Sequence, residues 1–253
     1  MQEIVQSVDR TLCILELLSD YEEGLGITEI GEKLELHKST VHRLLNTLIY
    51  KGYVKQNKNT SRYEITLKLF ELGNKKLEKM DLVTIAKPYL KELMEKTNEV
   101  THLVVREGTD IIYMAKMEPF KSISVYTRLG MSKPMYCTAM GKAMLSHMED
   151  DEIQEIWNAS YVQKLTEYTI VDFNKLKEKL IEAKEKGYAI DDQEVEIGIK
   201  CLGTVVRDYT GNVCGAISIS SSILTLTEEK NVYFSKLILE YANKISKELG
   251  YRD

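Results

Sequence analysis

Lys38, Ser39, Thr40, His42, Arg43, Asn46 and Thr47 recur at helical spacing, and they share the face opposite Val41, Leu44, Leu45 and Leu48. Lysine and arginine reach phosphate oxygens, and arginine, asparagine and small hydroxyls match base edges in a duplex groove. A second constellation lies in residues 213–220, where alternation puts Val213, Ile217 and Ile219 on one strand face and Cys214, Ala216, Ser218 and Ser220 on the other. Small side chains on a buried face leave volume unfilled, and hydroxyls and a thiol there need partners, which suits a small polar ligand or ordered water. Cys201, Gly203 and Val205 repeat the device on the preceding strand. Thr138-Ala139-Met140-Gly141-Lys142 places small residues at a helix start, whose unpaired backbone N–H groups suit a carboxylate. Asp191, at a strand end, is placed to accept hydroxyls from the same ligand. On packing alone, the small residues would serve tight helix-on-sheet contact and Asp191 would cap a turn; on the residues alone both readings stay open.

The elements that must position the first constellation are two short helices within residues 26–51. Ile27, Ile30 and Leu34 give the first a buried face, and a tight connection around Glu35 and Leu36 makes the two cross steeply, as in a helix-turn-helix. Beyond them, residues 53–57 and 62–66 flank the polar turn 58–61, a hairpin that beside a helix-turn-helix forms a wing. Lys58 and Arg62 of that wing join the basic set. Residues 36–63 carry no Asp or Glu, where about four would be expected from the 39 acids of the chain. The local distribution thus marks a basic face that net charge hides. A helical hairpin used for protein contacts is the alternative, but such a surface has no reason to exclude acids.

The chain has 253 residues, 43% of them hydrophobic and 29% charged, with a net charge of -5. This is an ordinary globular composition with room for two domains, and it argues against a general nucleic-acid coat protein. No stretch approaches the roughly 20 apolar residues of a membrane helix, and charges interrupt residues 1–18 where a signal peptide would be apolar, so a cytoplasmic location is expected. Cys13, Cys137, Cys201 and Cys214 are far apart, and the four histidines lack metal-ligand spacing; reduced thiols, no metal and no cofactor are expected.

Val5, Val8, Leu12, Leu15 and Leu18 form one helical stripe, expected to pack under the helix-turn-helix. Residues 67–80 read as a linker helix whose apolar Phe70 and Leu77 suggest a partner subunit. Residues 81–253 mix both periods: a helix from Leu82, strands 101–105 and 111–116 around the turn 107–110, a strand at 122–126, a loop at 128–134 and a short helix over 139–148. Asp172 caps a helix ended by Gly187, and Thr227 caps a last helix ended by Gly250. Strands 188–191, 199–207 and 213–220 lie between those two helices. The expected fold class is α+β: a winged helix-turn-helix (1–66), a linker helix (67–80) and a ligand-binding domain (81–253) with an antiparallel sheet flanked by helices.

No G-x-G-x-x-G, G-x-x-x-x-G-K-[ST] or G-x-S-x-G occurs. A thiol nucleophile, Cys137 or Cys201 with His102 or His147 as base, is the enzymatic alternative. The acids Asp191, Asp192, Glu194 and Glu196 read as a solvated turn rather than a glycosidase pair.

The segments VQSVDRTLCILELL, ITEIGEKLELHKSTVHRLLNTLIYKGYV, CTAMGKAML, GYAIDDQEVEIGIKCLGTVV and GAISIS, in this order and separation, resemble the IclR family of bacterial transcriptional regulators over essentially the whole chain. Within it, SRYEITLKLFELGNKKL, DLVTIA and the closing KISKELGYRD look most like regulators of pectin and hexuronate breakdown that sense 2-keto-3-deoxygluconate. The resemblance implies a winged helix-turn-helix, a linker helix and a GAF-like effector-binding domain, assembled as homodimers or homotetramers on operator DNA. It places effector contacts on Ala139, Met140, Asp191, Cys201, Ser218 and Ser220. The family often has Gly-Ala at Ala139-Met140, so Met140 narrows the pocket, and His at Tyr136, which bears on which effector fits. The function implied is a DNA-binding regulator, a repressor, of a catabolic operon, released or modulated by a small organic acid such as 2-keto-3-deoxygluconate. The alternatives are an activator answering pyruvate, glyoxylate or an aromatic acid, the thiol enzyme, and a winged-helix interaction module.

Overall fold

A computed structural model of the chain describes residues 4–77, 82–120 and 127–252. The chain divides into two compact units, Met1–Lys79 and Met80–Asp253.

In the first unit, α1 (Gln6–Ser19), α2 (Ile27–Lys33) and α3 (Lys38–Tyr50) enclose a core of Ile14, Leu18, Ile30, Val41, Leu45 and Leu48. The hairpin of β1 (Val54–Gln56) and β2 (Tyr63–Ile65) seals it with Val54 and Tyr63. Leu25 widens the hairpin, exchanging backbone hydrogen bonds with Tyr63 at 3.0 and 2.8 Å. The α2–α3 turn is tight because the Leu36 N–H donates to the Gly31 carbonyl at 2.8 Å, and Glu35 adopts a φ of 54°. A Cβ on Gly31 would lie 2.9 Å from the Leu36 oxygen, so the close approach requires glycine.

The stripe expected to bury α1 divides between two faces. Ile14 and Leu18 sit in the core, whereas Val5, Val8 and Leu12 are 64%, 55% and 53% exposed. The Ile14 to Leu18 step of four residues makes the inward seam, and Val5, Val8 and Leu12, at steps of three and four, make a second apolar stripe turned outward. The helix α4 (Lys68–Leu77) follows, with Leu69, Phe70 and Leu72 exposed. Residues 78–80 of the expected linker helix, and the side chain of Leu77, lie outside the described residues.

The second unit is built on a six-stranded antiparallel sheet. Its strands are β3 (Val100–Glu107), β4 (Asp110–Met117), β5 (Ser132–Pro134), β6 (Ala189–Asp192), β7 (Ile199–Arg207) and β8 (Val213–Ser222), in the spatial order β5-β4-β3-β8-β7-β6. On one face, α5 (Leu82–Thr97) and α9 (Glu228–Glu248) bury Leu103, Leu202, Ile217 and Ile219 against Leu90, Leu93, Ile238 and Tyr241. On the other, α6 (Ala139–Leu145), α7 (Asp150–Ala159) and α8 (Phe173–Lys186) cover Val104, Tyr113 and Ala216. The expected caps are present: Asp172 accepts the Lys175 N–H at 3.0 Å, Thr227 accepts the Lys230 N–H at 3.3 Å, and Gly187 and Gly250 take φ of 77° and 89°.

Four features depart from the sequence reading. The helix α7 was not foreseen; it opens on Asp150, Asp151 and Glu152, which suit the positive end of its dipole, and buries only Ile153 and Ile156. The helix α6 stops at Leu145 instead of continuing to Met148. The loop expected over 128–134 ends in β5, an edge strand that tolerates Pro134. The strict alternation expected over residues 213–220 is broken by a bulge, since Val206 pairs with Gly215 but Arg207 with Val213. Cys214 therefore joins the α5–α9 side, and Val213 the other. The strand expected at 122–126 lies outside the described residues.

Candidate functional site

On α3, Lys38, Ser39, His42, Arg43 and Asn46 are exposed and Thr40 is half-buried. The Asn46 amide lies 3.3 Å from the His42 Nδ1 and the Thr47 hydroxyl donates to the Arg43 carbonyl at 3.1 Å, contacts that order this face without using its cations. Among the described residues, Lys38, Arg43 and Lys58 have no carboxylate partner, while Lys55 pairs with Glu64 at 3.0 Å. Arg62 serves the fold: its Nη1 donates to the Gly24 carbonyl at 2.7 Å and its Nη2 to Glu29 at 3.1 Å, tying the wing to α2. Glu29 in turn accepts the Gly26 N–H at 2.7 Å at the start of α2, and this hydrogen bond together with Arg62 holds its carboxyl below the usual carboxylate range.

In the second unit, Gly203 lets the first turn of α6 rest on β7, where a Cβ would lie 2.6 Å from the Ala139 carbonyl carbon and the Met140 nitrogen. The small residues thus do serve close helix-on-sheet packing, and they also border a cavity of ≈ 260 Å³. The packing reading therefore holds, and the cavity leaves room for the ligand reading beside it. Of the residues assigned to a ligand, Ala139, Met140, Asp191, Cys201 and Ser220 line this cavity. Ser218 does not: it is fully buried, with its Oγ 3.2 Å from the His102 Nδ1. The His102 Nε2 lies 2.8 Å from the Thr127 hydroxyl, and the ring stands edge-on to Tyr113 with centroids 5.0 Å apart. In the first turn of α6, the Gly141 N–H donates to the Thr138 hydroxyl at 3.1 Å, but the N–H groups of Ala139 and Met140 find no acceptor among the described residues.

The acids at and just after the end of β6 are not a solvated turn as a group. Asp191 and Glu194 are buried, Asp192 and Glu196 exposed. Glu194 forms an ion pair with the equally buried Lys142, and its backbone N–H donates to the Asp191 carboxylate at 2.8 Å. Burial raises the Asp191 pKa to about 7, against the pull of Lys142 and with the push of Glu194. Burial also keeps His102 neutral, lowering its pKa to about 3.

Neither thiol of the enzymatic alternative is activated. Burial pushes Cys137 up to about 12 and raises Cys201 as well, and the Cys201 Sγ is spent on the Ser220 hydroxyl at 3.1 Å. His102 is engaged by Ser218 and Thr127, and the His147 Nδ1 lies 3.2 Å from an Arg207 nitrogen.

This combination of a helix-turn-helix unit and a cavity-bearing sheet unit recurs in known proteins. Residues 7–58 match the IclR helix-turn-helix domain and residues 74–247 the bacterial transcriptional regulator IclR C-terminal domain. The chain belongs to the IclR family. It is a transcriptional regulator of the effector-responsive kind. It is 35% identical over 249 residues to the HTH-type transcriptional regulator KdgR of Escherichia coli, covering 98% of this chain and 94% of that protein. It is also 35% identical to the DNA-binding transcriptional repressor YiaJ of Escherichia coli, over 97% of this chain and 88% of the relative. Among solved structures, the Agobacterium tumefaciens repressor BlcR matches with a TM-score of 0.84 at 27% identity, covering 100% of both chains. The Thermotoga maritima IclR matches with a TM-score of 0.65 at 32% identity, over 98% of this chain and 100% of that one.

His102, Tyr113 and Lys133 line the cavity but are absent from the sequence-level ligand set. A histidine within the apolar run 101–105 was the available signal for the first. Nothing marked Lys133, which the sequence places in a loop.

Proposed function

We propose that this IclR-family regulator is a repressor of genes for breakdown of a small organic or sugar acid, and that it leaves its operator when the acid occupies the ≈ 260 Å³ cavity. The observation that carries the reading is the pair of N–H groups of Ala139 and Met140, unpartnered among the described residues, at the wall of a cavity that also holds Asp191, Cys201 and Ser220. That volume lies just below the roughly 300–1,000 Å³ of drug-sized pockets, which favours a compact metabolite such as 2-keto-3-deoxygluconate over a nucleotide. On the DNA side, Lys38, Ser39, Thr40, His42, Arg43 and Asn46 supply the groove face, and Lys58 of the wing a phosphate contact; Arg62 contributes through the wing's attachment to α2. The protein acts as a dimer or tetramer in the cytoplasm and is not an enzyme, a reading supported by its buried, protonated thiols.

A ligand that binds the DNA-free form about 1–3 kcal/mol more tightly would lower operator affinity roughly 5- to 150-fold. The test is retardation of a fragment from the gene's own upstream region, with 2-keto-3-deoxygluconate, pyruvate, glyoxylate and benzoate added in turn. Release by one acid at metabolite concentrations is expected. Tighter DNA binding with acid would make the protein an activator or a co-repressed regulator, and no retardation at low salt would reject the DNA reading.

A further inference from the structure

Each of the six strands sends one polar side chain to the cavity wall. In spatial order these are Asp191 on β6, Cys201 on β7, Ser220 on β8, His102 on β3, Tyr113 on β4 and Lys133 on β5. The strand pairing aligns three of them directly; beyond Ser220 the row steps along the strands, since His102 pairs with Ser218 and Tyr113 with Val104. Asp191 stands opposite Cys201 and Cys201 opposite Ser220, while Lys133 stands opposite Ile111, which shares the α6 face of the sheet with Tyr113. The row therefore runs from an acid on one edge strand to an ammonium on the other, with neutral groups between.

Lys133 is the only cation on the cavity wall among the described residues, and it forms no ion pair with the Asp191 or Glu196 of that wall. The other lysine close to this wall, Lys142, is already neutralised by Glu194. An anionic ligand entering the cavity thus meets one positive charge uncommitted among the described residues, on a wall that also carries the exposed Glu196 carboxylate. Lys133 lies at the edge strand farthest from Asp191, and six residues before the helix start that carries the free N–H groups of Ala139 and Met140.

We propose that Lys133 is the charge-selecting residue of the effector site: the ligand's carboxylate lies toward Lys133, with Tyr113 and His102 as the neighbouring polar groups of the wall. This inference rests on the reading of the cavity as an organic-acid site. The ligand class follows from the wall: a compact acid with one carboxylate and otherwise uncharged hydrogen-bonding groups. A second carboxylate would meet the acidic part of the wall, Asp191 and Glu196, and is disfavoured. The half-exposed position of Lys133 on a three-residue edge strand leaves the fold little dependent on its side chain.

The experiment is calorimetric titration of the full-length wild type, Lys133→Gln and Lys133→Arg with 2-keto-3-deoxygluconate, pyruvate and glyoxylate, and with pyruvamide as an uncharged counterpart. Each titration is run at low and high salt, and thermal melting checks each fold. Loss of a charge-assisted contact should weaken the bound acid about 10- to 100-fold in Lys133→Gln and flatten its salt dependence, with Lys133→Arg within about fivefold of wild type. Discrimination between acid and amide should shrink in the Gln variant. A folded Lys133→Gln protein that binds the acid with wild-type affinity and salt dependence overturns the role of Lys133 and leaves the acid site standing. A wild type that binds no acid of the panel overturns the acid site itself, and this inference with it.

Discussion

The imidazole of His102 stands between Ser218 and the cavity: its Nδ1 lies 3.2 Å from the Ser218 hydroxyl, and the ring itself lines the wall. On the proposed reading of the cavity, Ser218 is a positioning residue that would act on the ligand through His102. Ser218→Ala should remove one buried hydrogen bond, destabilise the second unit by about 1–3 kcal/mol and weaken the effector by roughly 1 kcal/mol. Ser218→Leu should overpack the site, push the imidazole into the cavity and block binding. A double-mutant cycle with His102→Gln distinguishes this arrangement from a direct contact. If the effects of Ser218→Ala and His102→Gln on ligand affinity simply add, Ser218 does not act through the ring.

On the DNA side the structure separates cations by their commitments. Arg43 is exposed and has no carboxylate partner among the described residues, so Arg43→Ala should cost about 1–3 kcal/mol of operator affinity and relax preference at one base position. Lys58→Gln should weaken all duplexes alike and lower the salt slope by about one unit. Arg62→Ala should act first on stability, because its guanidinium bridges the Gly24 carbonyl and Glu29. Melting curves and fluorescence anisotropy on one operator fragment at several salt concentrations sort the three. Operator binding unchanged in folded Arg43→Ala and Lys58→Gln proteins would remove α3 and the wing from the groove.

How much of this was legible in the sequence differs between the units. The helix-turn-helix was readable because each helix buries one continuous stripe and because acids vanish over residues 36–63. The antiparallel strands were readable from alternation and turn residues, and the caps Asp172 and Thr227 from their side-chain chemistry. What failed depended on tertiary context. The α1 stripe was assigned wholly to the core because periodicity does not say which of two apolar faces turns inward. Cys214 was placed on the wrong face because a bulge is a property of two strands. Glu194 was taken for a solvated acid because its partner Lys142 lies 52 positions away. The same limit hid Lys133, whose meaning depends on which strand pairs beside it.

The outward stripe of α1 calls for a partner surface. Val5, Val8 and Leu12 are more than half exposed, and Phe70 on α4 is 68% exposed. Half-sites on duplex DNA repeat about every 34 Å and one winged helix covers one of them, so tight binding needs at least a dimer. Val8→Asp and Leu12→Asp should leave the fold intact, shift sedimentation toward monomer and weaken operator binding by an order of magnitude or more. Ile14→Asp, by contrast, should unfold the first unit, since Ile14 is fully buried in its core. An unchanged oligomer in folded Val8→Asp protein would assign assembly to another surface.

The last prediction follows from the buried acid at the end of β6. Asp191 is 5% exposed, and burial lifts its pKa from 3.8 to about 7. The folded state thus holds this proton more tightly than the unfolded chain. Its stabilising contribution is fully present below the unfolded pKa and is lost as pH rises through about 7. His102 has the opposite sign: its folded pKa is lowered to about 3, so its contribution is present above the unfolded value of 6.5 and is lost as pH falls toward 3. Between about pH 4 and 6.5 the two slopes oppose each other, and above 6.5 Asp191 acts alone. Asp191→Asn keeps an oxygen to accept the Glu194 N–H and removes the charge that must form in a buried site. Its melting temperature relative to wild type should therefore rise between pH 5.5 and pH 8.5, while His102→Gln should shift that difference mainly below pH 6.5. Thermal melting of the two variants and the wild type across this range is the measurement. A constant offset of Asp191→Asn at every pH would mean that Asp191 is ionised throughout, held so by Lys142 despite its burial.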